Sequence, residues 1–111
     1  MVAQEMKEET GLDLQASELV DLTALAYGPG CPGLVPSAGG CDETIRLFLY
    51  RKSVTAEELA ALEGKCTGCA EEREQITLSV VPLASLWQVS PDAKTLAALF
   101  LYEKLKAAGK L

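Results

Sequence analysis

The sequence predicts a mixed α/β fold in which a few strands are flanked by helices. Apolar residues recur at helical spacing near the C-terminus, while residues 44–52 alternate in the manner of a half-buried strand. Segments rich in glycine and proline separate these stretches. The predicted order is helix, strand, loop, strand, helix, loop, strand, helix. A sheet this small has an edge strand free to pair with another chain.

The first half of the chain is predicted to contain one helix, one strand and one long loop. A helix is expected over residues 1–10, and Gly11 is placed to cap its C-terminus. Residues 19–27 are apolar with β-branched members, which favours a strand. Residues 28–40 are rich in glycine and proline and form a loop longer than an ordinary connection. Loops of that length are usually functional or mobile.

The middle of the chain is predicted to form a strand followed by a capped helix. The strand covers residues 44–52, and its expected buried face consists of Ile45, Leu47 and Leu49. A short helix over residues 55–63 has Thr55 as its N-cap, and Glu58 stands where it completes a capping box. Gly64 is expected to end this helix.

The last part is predicted to contain a loop, a strand and two helical segments. Residues 65–75 are expected to be a loop, 76–81 a strand, and 83–88 a helical turn that carries the only tryptophan. Ser90, Pro91 and Asp92 are expected to start the final helix, and Gly109 to cap it. The apolar stripe predicted for this helix consists of Leu96, Ala97, Phe100, Leu101 and Leu105.

Composition bounds the possible functions. The chain has 111 residues, which fits one domain over residues 1–111, and a hydrophobic fraction of 49% predicts a globular fold. The net charge of −6 argues against nucleic acid and anionic membranes as partners. No apolar run approaches the roughly 18 residues of a membrane span, and the N-terminus resembles no targeting segment, so we expect a soluble protein. A polyphosphate ligand would need a cation to mediate its binding.

Histidine is absent, so acid–base chemistry falls to carboxylates and imidazole-based triads are excluded. The four cysteines are Cys31, Cys41, Cys66 and Cys69, of which the last two form a CxxC. This pattern is compatible with two interpretations: a zinc or redox module, or free thiols in a reducing compartment. Cys31 and Cys41 are too widely spaced to form a second tight CxxC pair, which favours free thiols.

Two groups of carboxylates are candidates for a functional site. Glu5, Glu8 and Glu9 share one face of the first predicted helix, where their mutual repulsion would be relieved by a hard cation such as Mg²⁺. The second group is the acidic run at residues 71–74 in the predicted loop, where a base that activates water would stand. The alternative for both groups is an ordinary solvated surface.

Residues 4–12 resemble the C-terminal half of the Nudix box, the signature helix of the Nudix hydrolases. That motif reads Arg-Glu-U-x-Glu-Glu-x-Gly-U, where U is aliphatic, and the matching residues are Glu5, Met6, Glu8, Glu9, Gly11 and Leu12. Gln4 replaces the leading arginine, which normally holds a box glutamate by a charged hydrogen bond. The box begins upstream with a glycine and another glutamate. The resemblance therefore implies that residues 1–12 are the second half of the motif, and that the chain is the C-terminal part of a Nudix fold without its N-terminal strands.

Other stretches are similar to the ADP-sugar and ADP-ribose pyrophosphatase branch of this family, and most of all to plastid ADP-sugar diphosphatases of the plant type. These stretches are residues 36–43, 67–68, 80–83, 86–87 and 92–96. The resemblance implies Mg²⁺-dependent cleavage of ADP-glucose or ADP-ribose to AMP and a sugar phosphate, with Mn²⁺ as an alternative metal. It also implies a homodimer and a plastid location, with a cytoplasmic location as the alternative. A truncated remnant without activity is the alternative.

The family's residue roles can be carried over to matching positions. The resemblance implies that Glu5 and Glu9 bind the metal, and that Glu8 binds it through water or is the glutamate that the box arginine holds. It places Glu72 as the catalytic base and Glu74 as a further metal-contacting carboxylate, although a shift of two residues would exchange them. The residues expected beside the sugar or ribose are Gly39, Gly40, Asp42 and Glu43. Lys94 is either a phosphate contact or a structural lysine of the last helix.

Overall fold

The computed structural model describes residues 2–68 and 75–111, and within these ranges it confirms a mixed α/β architecture. The helices are α1 (Val2–Thr10), α2 (Leu22–Tyr27), α3 (Ala56–Leu62), α4 (Leu86–Val89) and α5 (Ala93–Ala107). The strands are β1 (Val20–Asp21), β2 (Phe48–Leu49), β3 (Cys66–Thr67) and β4 (Ile76–Thr77). Short 3-10 helices cover Ala16–Glu18 and Leu83–Ser85.

The chain divides into two compact units. The first is built from Met1–Leu19 and Tyr50–Pro82, and the second from Val20–Leu49 and Leu83–Leu111. Each contains helices and one antiparallel pair of strands. The prediction of a single domain is not tested by this division, because compact units of this size also occur within one domain.

The first unit contains α1, α3 and the β3–β4 pair. In that pair Cys66 stands opposite Thr77, and Thr67 stands opposite Ile76. Two further backbone hydrogen bonds extend the ladder beyond the strands: Gly64 donates to Leu78 at 2.9 Å, and Leu78 donates to Lys65 at 2.9 Å. The pair therefore forms a short ribbon that begins directly where α3 ends.

The second unit contains β1, β2, α2, α4 and α5, and it holds the main hydrophobic core. The core residues are Leu22, Leu47, Leu101 and Leu105. β1 pairs with β2 in antiparallel register, and an isolated bridge joins Leu34 to Ile45. Helix α5 thereby packs its buried leucines against α2 and the segment that contains β2.

The predicted strand over residues 19–27 is wrong beyond Asp21, because α2 begins at the next residue. The Asp21 carboxylate accepts a hydrogen bond from the Ala24 amide at 2.9 Å, and so caps the helix. Leu22 is buried, and Leu25 packs against the same core. Gly28 follows the helix at φ 92°. The apolar residues therefore satisfy helical periodicity, which a short apolar run does not distinguish from a strand.

Strands elsewhere are shorter than predicted. The expected strand over residues 44–52 pairs only at Phe48–Leu49 and at the Leu34–Ile45 bridge, because β1 offers just two residues before α2 begins. The expected strand over residues 76–81 is reduced to Ile76–Thr77, with the ladder hydrogen bonds continuing only to Leu78. Its partner, Cys66–Thr67, lies in the segment predicted as a loop.

The helix boundaries at the other sites were predicted well. Thr55 caps α3 by accepting from the Glu58 amide at 3.1 Å, and Asp92 caps α5 by accepting from the Thr95 amide at 3.1 Å. The predicted stripe on α5 is only partly correct, since Phe100 is 58% exposed. Leu96 is exposed as well. The side chains that pack on the core are Ala97, Ala98, Leu101 and Leu105.

Candidate carboxylate site and glycine-rich loop

Helix α1 carries the three glutamates predicted to bind a metal. Glu5 and Glu8 are exposed, and Glu9 is half-buried. The Gln4 amide donates a hydrogen bond to the Glu8 carboxylate at 3.4 Å, so Gln4 contacts one of the three glutamates. Within residues 2–68 and 75–111, no lysine or arginine forms an ion pair with the three glutamates. Among the described residues, therefore, none neutralises the charge of these glutamates by a direct ion pair.

The C-terminal end of α1 is fixed by local hydrogen bonds. Gly11 has a φ of 75°, and its amide donates to the Lys7 carbonyl at 2.8 Å. The Thr10 hydroxyl donates to the Met6 carbonyl at 2.5 Å and accepts from the Leu12 amide at 3.2 Å. This confirms the predicted glycine cap and explains why the helix ends at Thr10.

Residues of the β3 segment also bind this end of α1. The Gly68 amide donates to the Glu8 carbonyl at 3.0 Å, and the Thr67 hydroxyl donates to the Glu9 carbonyl. These two carbonyls are among the last four of the helix, which have no partner within it. The backbone of two candidate ligand residues is thus held by a segment distant in sequence.

The donor chemistry of α1 fits a hard divalent cation, because carboxylate oxygens are the ligands that Mg²⁺ prefers. In the described part of the chain, however, no three acidic or cysteine side chains lie close enough together to hold a metal ion. A closed site therefore requires donors beyond those residues, such as substrate phosphates, water or further carboxylates. Glu72 and Glu74 lie outside the described residues, so their assignment stays a prediction.

The predicted substrate loop lies in the second unit. Gly39, Gly40, Asp42 and Glu43 are all exposed, as a role in binding requires. The Gly40 and Cys41 amides donate to the Ser37 carbonyl at 3.2 and 3.0 Å, which forms a turn. A side chain at Gly40 would stand 2.7 Å from the Ser37 hydroxyl, whereas one at Gly39 would meet open space.

Arg46 anchors the base of this loop, a role that sequence analysis missed. Its guanidinium donates to the Asp21 carboxylate at 2.8 and 3.2 Å and to the Cys31 carbonyl. Partial burial favours a raised pKa for Asp21, but hydrogen bonds from Ala24 and Arg46, with the charge of Arg46, lower it below its ordinary value. Nothing in the local pattern indicates a partner 25 positions away.

Lys94 has a structural partner in the first turn of α5. Its ammonium group lies 2.8 Å from the carboxylate of the N-cap, Asp92. This hydrogen bond lowers the pKa of Asp92 and raises that of Lys94. Lys94 also borders a cavity of about 250 Å³ whose other lining residues are Leu34, Val35, Pro36, Ile45, Leu47, Ala93 and Ala97. The observed contact agrees with the structural alternative for this lysine.

The cysteines show no thiol site in the described residues. Cys31, Cys41 and Cys66 are free; Cys31 belongs to the second unit and Cys66 to the first. Cys69, the other half of the CxxC, lies outside the described residues. The zinc or redox alternative, which needs both Cys66 and Cys69, therefore stays a prediction.

Comparison with known proteins shows similarity to a plant protein. The chain is 40% identical over 105 residues, or 95% of its length, to the Arabidopsis thaliana protein called Nudix hydrolase 14, chloroplastic. The match covers 34% of that protein, so the chain spans about a third of the relative's length. No family model matches the chain, and no solved structure does. Among the described helices, none is long and apolar enough to cross a membrane.

Proposed function

The chain is related by sequence to the Nudix hydrolases, and we propose that it supplies part of a Mg²⁺-dependent pyrophosphatase acting on nucleoside diphosphate sugars. ADP-glucose or ADP-ribose would be cleaved to AMP and a sugar phosphate. In this reaction the oxygen of water bonds to one phosphorus of the diphosphate. The bond from that phosphorus to the bridging oxygen breaks, and the water proton passes to a carboxylate base.

The observation that carries this proposal is the arrangement of α1. Glu5 and Glu9 stand one helical turn apart, on a helix whose C-terminal carbonyls are held by Thr67 and Gly68. The protein carries a net charge of −6, so a diphosphate would be repelled unless cations neutralise both partners. Two carboxylates one helical turn apart would supply oxygen ligands for such a cation.

The roles of the individual residues follow from this chemistry. Glu5 and Glu9 would hold Mg²⁺ or Mn²⁺, with Glu8 assisting through water, and the metal would neutralise charge on the diphosphate. Glu72 would take the proton from water, and Glu74 would add a carboxylate to the metal site. Gly39, Gly40, Asp42 and Glu43 would lie beside the sugar. By the same relationship we propose a homodimer and a plastid location.

The test is release of AMP from ADP-glucose and ADP-ribose in the presence of Mg²⁺ or Mn²⁺. Glu9→Gln and Glu72→Gln should each lower the rate at least 100-fold, because one removes a metal ligand and the other the base. Glu57→Gln, an exposed glutamate in the first turn of α3, is the matched control and should leave the rate unchanged. Absence of AMP release from both substrates by folded wild-type protein would contradict the proposal.

A second candidate is a metal-binding chain without turnover. The observation that favours it is Gln4, whose neutral amide contacts Glu8 at 3.4 Å where the box has a charged arginine. A neutral donor orients the carboxylate but does not balance its charge. Under this alternative the wild type binds Mn²⁺ without releasing AMP, and Gln4→Arg restores activity. If Gln4→Arg has no effect in an active wild type, the glutamine is not limiting.

A further inference from the structure

We propose that Thr67 is a positioning residue for the metal-binding face of α1. Its hydroxyl and the neighbouring Gly68 amide hold the last turn of the helix, and thereby set where Glu9 and Glu5 present their carboxylates. This inference rests on the proposed function, since it concerns the same metal. It gives β3 a role in positioning the metal ligands, which the spacing of the glutamates in the sequence does not predict.

Helix α1 needs such an anchor because it is short and largely exposed. It spans nine residues, whereas isolated helices below about 12 residues are marginal in water. Its side chains provide little burial: Met6, Glu9 and Thr10 are half-buried, and none of its described side chains is fully buried. The position of the helix therefore depends on contacts outside its own sequence.

The contacts that α1 makes are concentrated at β3. In the described part of the chain, β3 is the element that α1 contacts most extensively. The Thr67 hydroxyl donates to the carbonyl of Glu9, a candidate ligand, and Gly68 donates to the carbonyl of Glu8. Fixing the Glu9 backbone also fixes Glu5, because residues four apart belong to consecutive turns of the same helix.

The consequence is that loss of one hydroxyl should weaken metal binding without removing a ligand. Groups that orient metal ligands typically contribute 10–100-fold to affinity when they bond the ligand directly. Thr67 acts through the backbone of Glu9, so an effect of about 10-fold, at the lower end of that range, is expected. This effect requires the hydroxyl and not merely a β-branched residue in β3.

The experiment is titration of the full 111-residue chain with Mn²⁺, followed by the electron paramagnetic resonance signal of the free ion. Thr67→Val keeps the shape and strand preference of threonine but deletes the donor, and should weaken Mn²⁺ binding about 10-fold. Thr67→Ser keeps the hydroxyl and should bind like the wild type. Thr77→Val is the matched control, because Thr77 lies on the partner strand β4 and is exposed.

A second measurement separates positioning from general loss of structure. In hydrogen exchange, Thr67→Val should raise exchange at the amides of α1 and leave α5 unchanged. Unchanged Mn²⁺ affinity in Thr67→Val, or equal weakening in Thr77→Val, overturns the inference while the proposed function stands. If the wild type binds no Mn²⁺, the metal site of the proposed function fails, and this inference falls with it.

Discussion

At the residue scale, Arg46 shows how one side chain organises a loop without belonging to a motif. It joins the N-cap of α2, Asp21, to the carbonyl of Cys31. Both partners of the ion pair are about one-third exposed, so solvent weakens their Coulomb attraction. Arg46 contributes instead by donating three hydrogen bonds from one planar group to two acceptors, the Asp21 carboxylate and the Cys31 carbonyl, which lysine does not reproduce.

Replacing Arg46 should therefore destabilise the chain moderately. Arg46→Lys is expected to lower the free energy of unfolding by about 1 kcal/mol, because the lysine keeps the charge but loses the forked geometry. Urea denaturation measures this change. Arg51→Lys is the control, since Arg51 is exposed and makes no hydrogen bond or ion pair within the described residues.

The lowered pKa of Asp21 leads to a pH dependence of stability. A carboxyl group whose pKa is lower in the folded state stabilises the fold above its unfolded pKa of about 4, and this contribution is lost as the pH falls through the folded pKa. Asp21→Asn should remove that part of the acid sensitivity. Urea midpoints between pH 6 and pH 3 should fall less steeply in the variant. Asp13→Asn, which alters an exposed pair with Lys7, should leave the slope unchanged.

Gly33 illustrates a second requirement at the residue scale. It is buried beside the Leu34–Ile45 bridge, and a Cβ there would lie 2.9 Å from the Ile45 carbonyl oxygen. Gly33→Ala should cost about 1–3 kcal/mol, because backbone on both sides of the bridge has to move. Gly30→Ala, where a Cβ would meet nothing within 4 Å, should cost much less. Thermal unfolding of the pair tests this, and equal losses would show that the close approach is unimportant.

At the element scale, helix α5 buries only part of its apolar surface. Helix α5 places Leu101 and Leu105 in the core, while Leu96 and Phe100 remain exposed on the same helix. All four residues belong to the stripe predicted from helical spacing. Packing against α2 decides which of them is buried, so an apolar stripe identifies a helix more reliably than it identifies the core.

Replacing a buried and an exposed leucine of α5 by alanine should show which side chains contribute to the core. Leu105→Ala should lower the free energy of unfolding by about 2–5 kcal/mol, because it leaves a cavity beside Leu22 and Leu47. Leu96→Ala removes the same atoms from a position that is 41% exposed, and should cost under about 1 kcal/mol. Comparable losses would mean that the buried face of α5 is assigned incorrectly.

At the scale of the whole molecule, the net charge of −6 and the proposed metal site lead us to expect that divalent cations stabilise the fold. A ligand that binds only the folded state at 100 times its dissociation constant adds about 2.7 kcal/mol. Mg²⁺ or Mn²⁺ should therefore raise the melting temperature of the wild type more than NaCl of equal ionic strength does. Glu9→Gln should abolish the difference, and Glu57→Gln should retain it. An equal effect of the monovalent salt would indicate general screening.

The sequence by itself determined where α1 ends, where α3 and α5 begin, and which residue types α1 carries. Gly11, Thr55 and Asp92 specify boundaries through bonds to residues three or four positions away, so local sequence contains the necessary information. The spacing of Glu5 and Glu9 and the similarity to a Nudix hydrolase are also properties of the sequence alone. Exposure of Gly39 and Asp42 was likewise foreseeable for residues in a glycine-rich loop.

Only the tertiary structure decided the features that depend on distant partners. Residues after Asp21 form a helix because their leucines meet the core, the strands stop where their partners turn away, and Arg46 finds Asp21 across 25 positions. Thr67 reaches Glu9 across 58 positions. Such contacts produce no periodic pattern in the sequence, because they join residues that come close together only when the chain folds. Helix α1 can thus be predicted from the sequence, whereas the hydrogen bonds from Thr67 and Gly68 that hold its C-terminal end cannot.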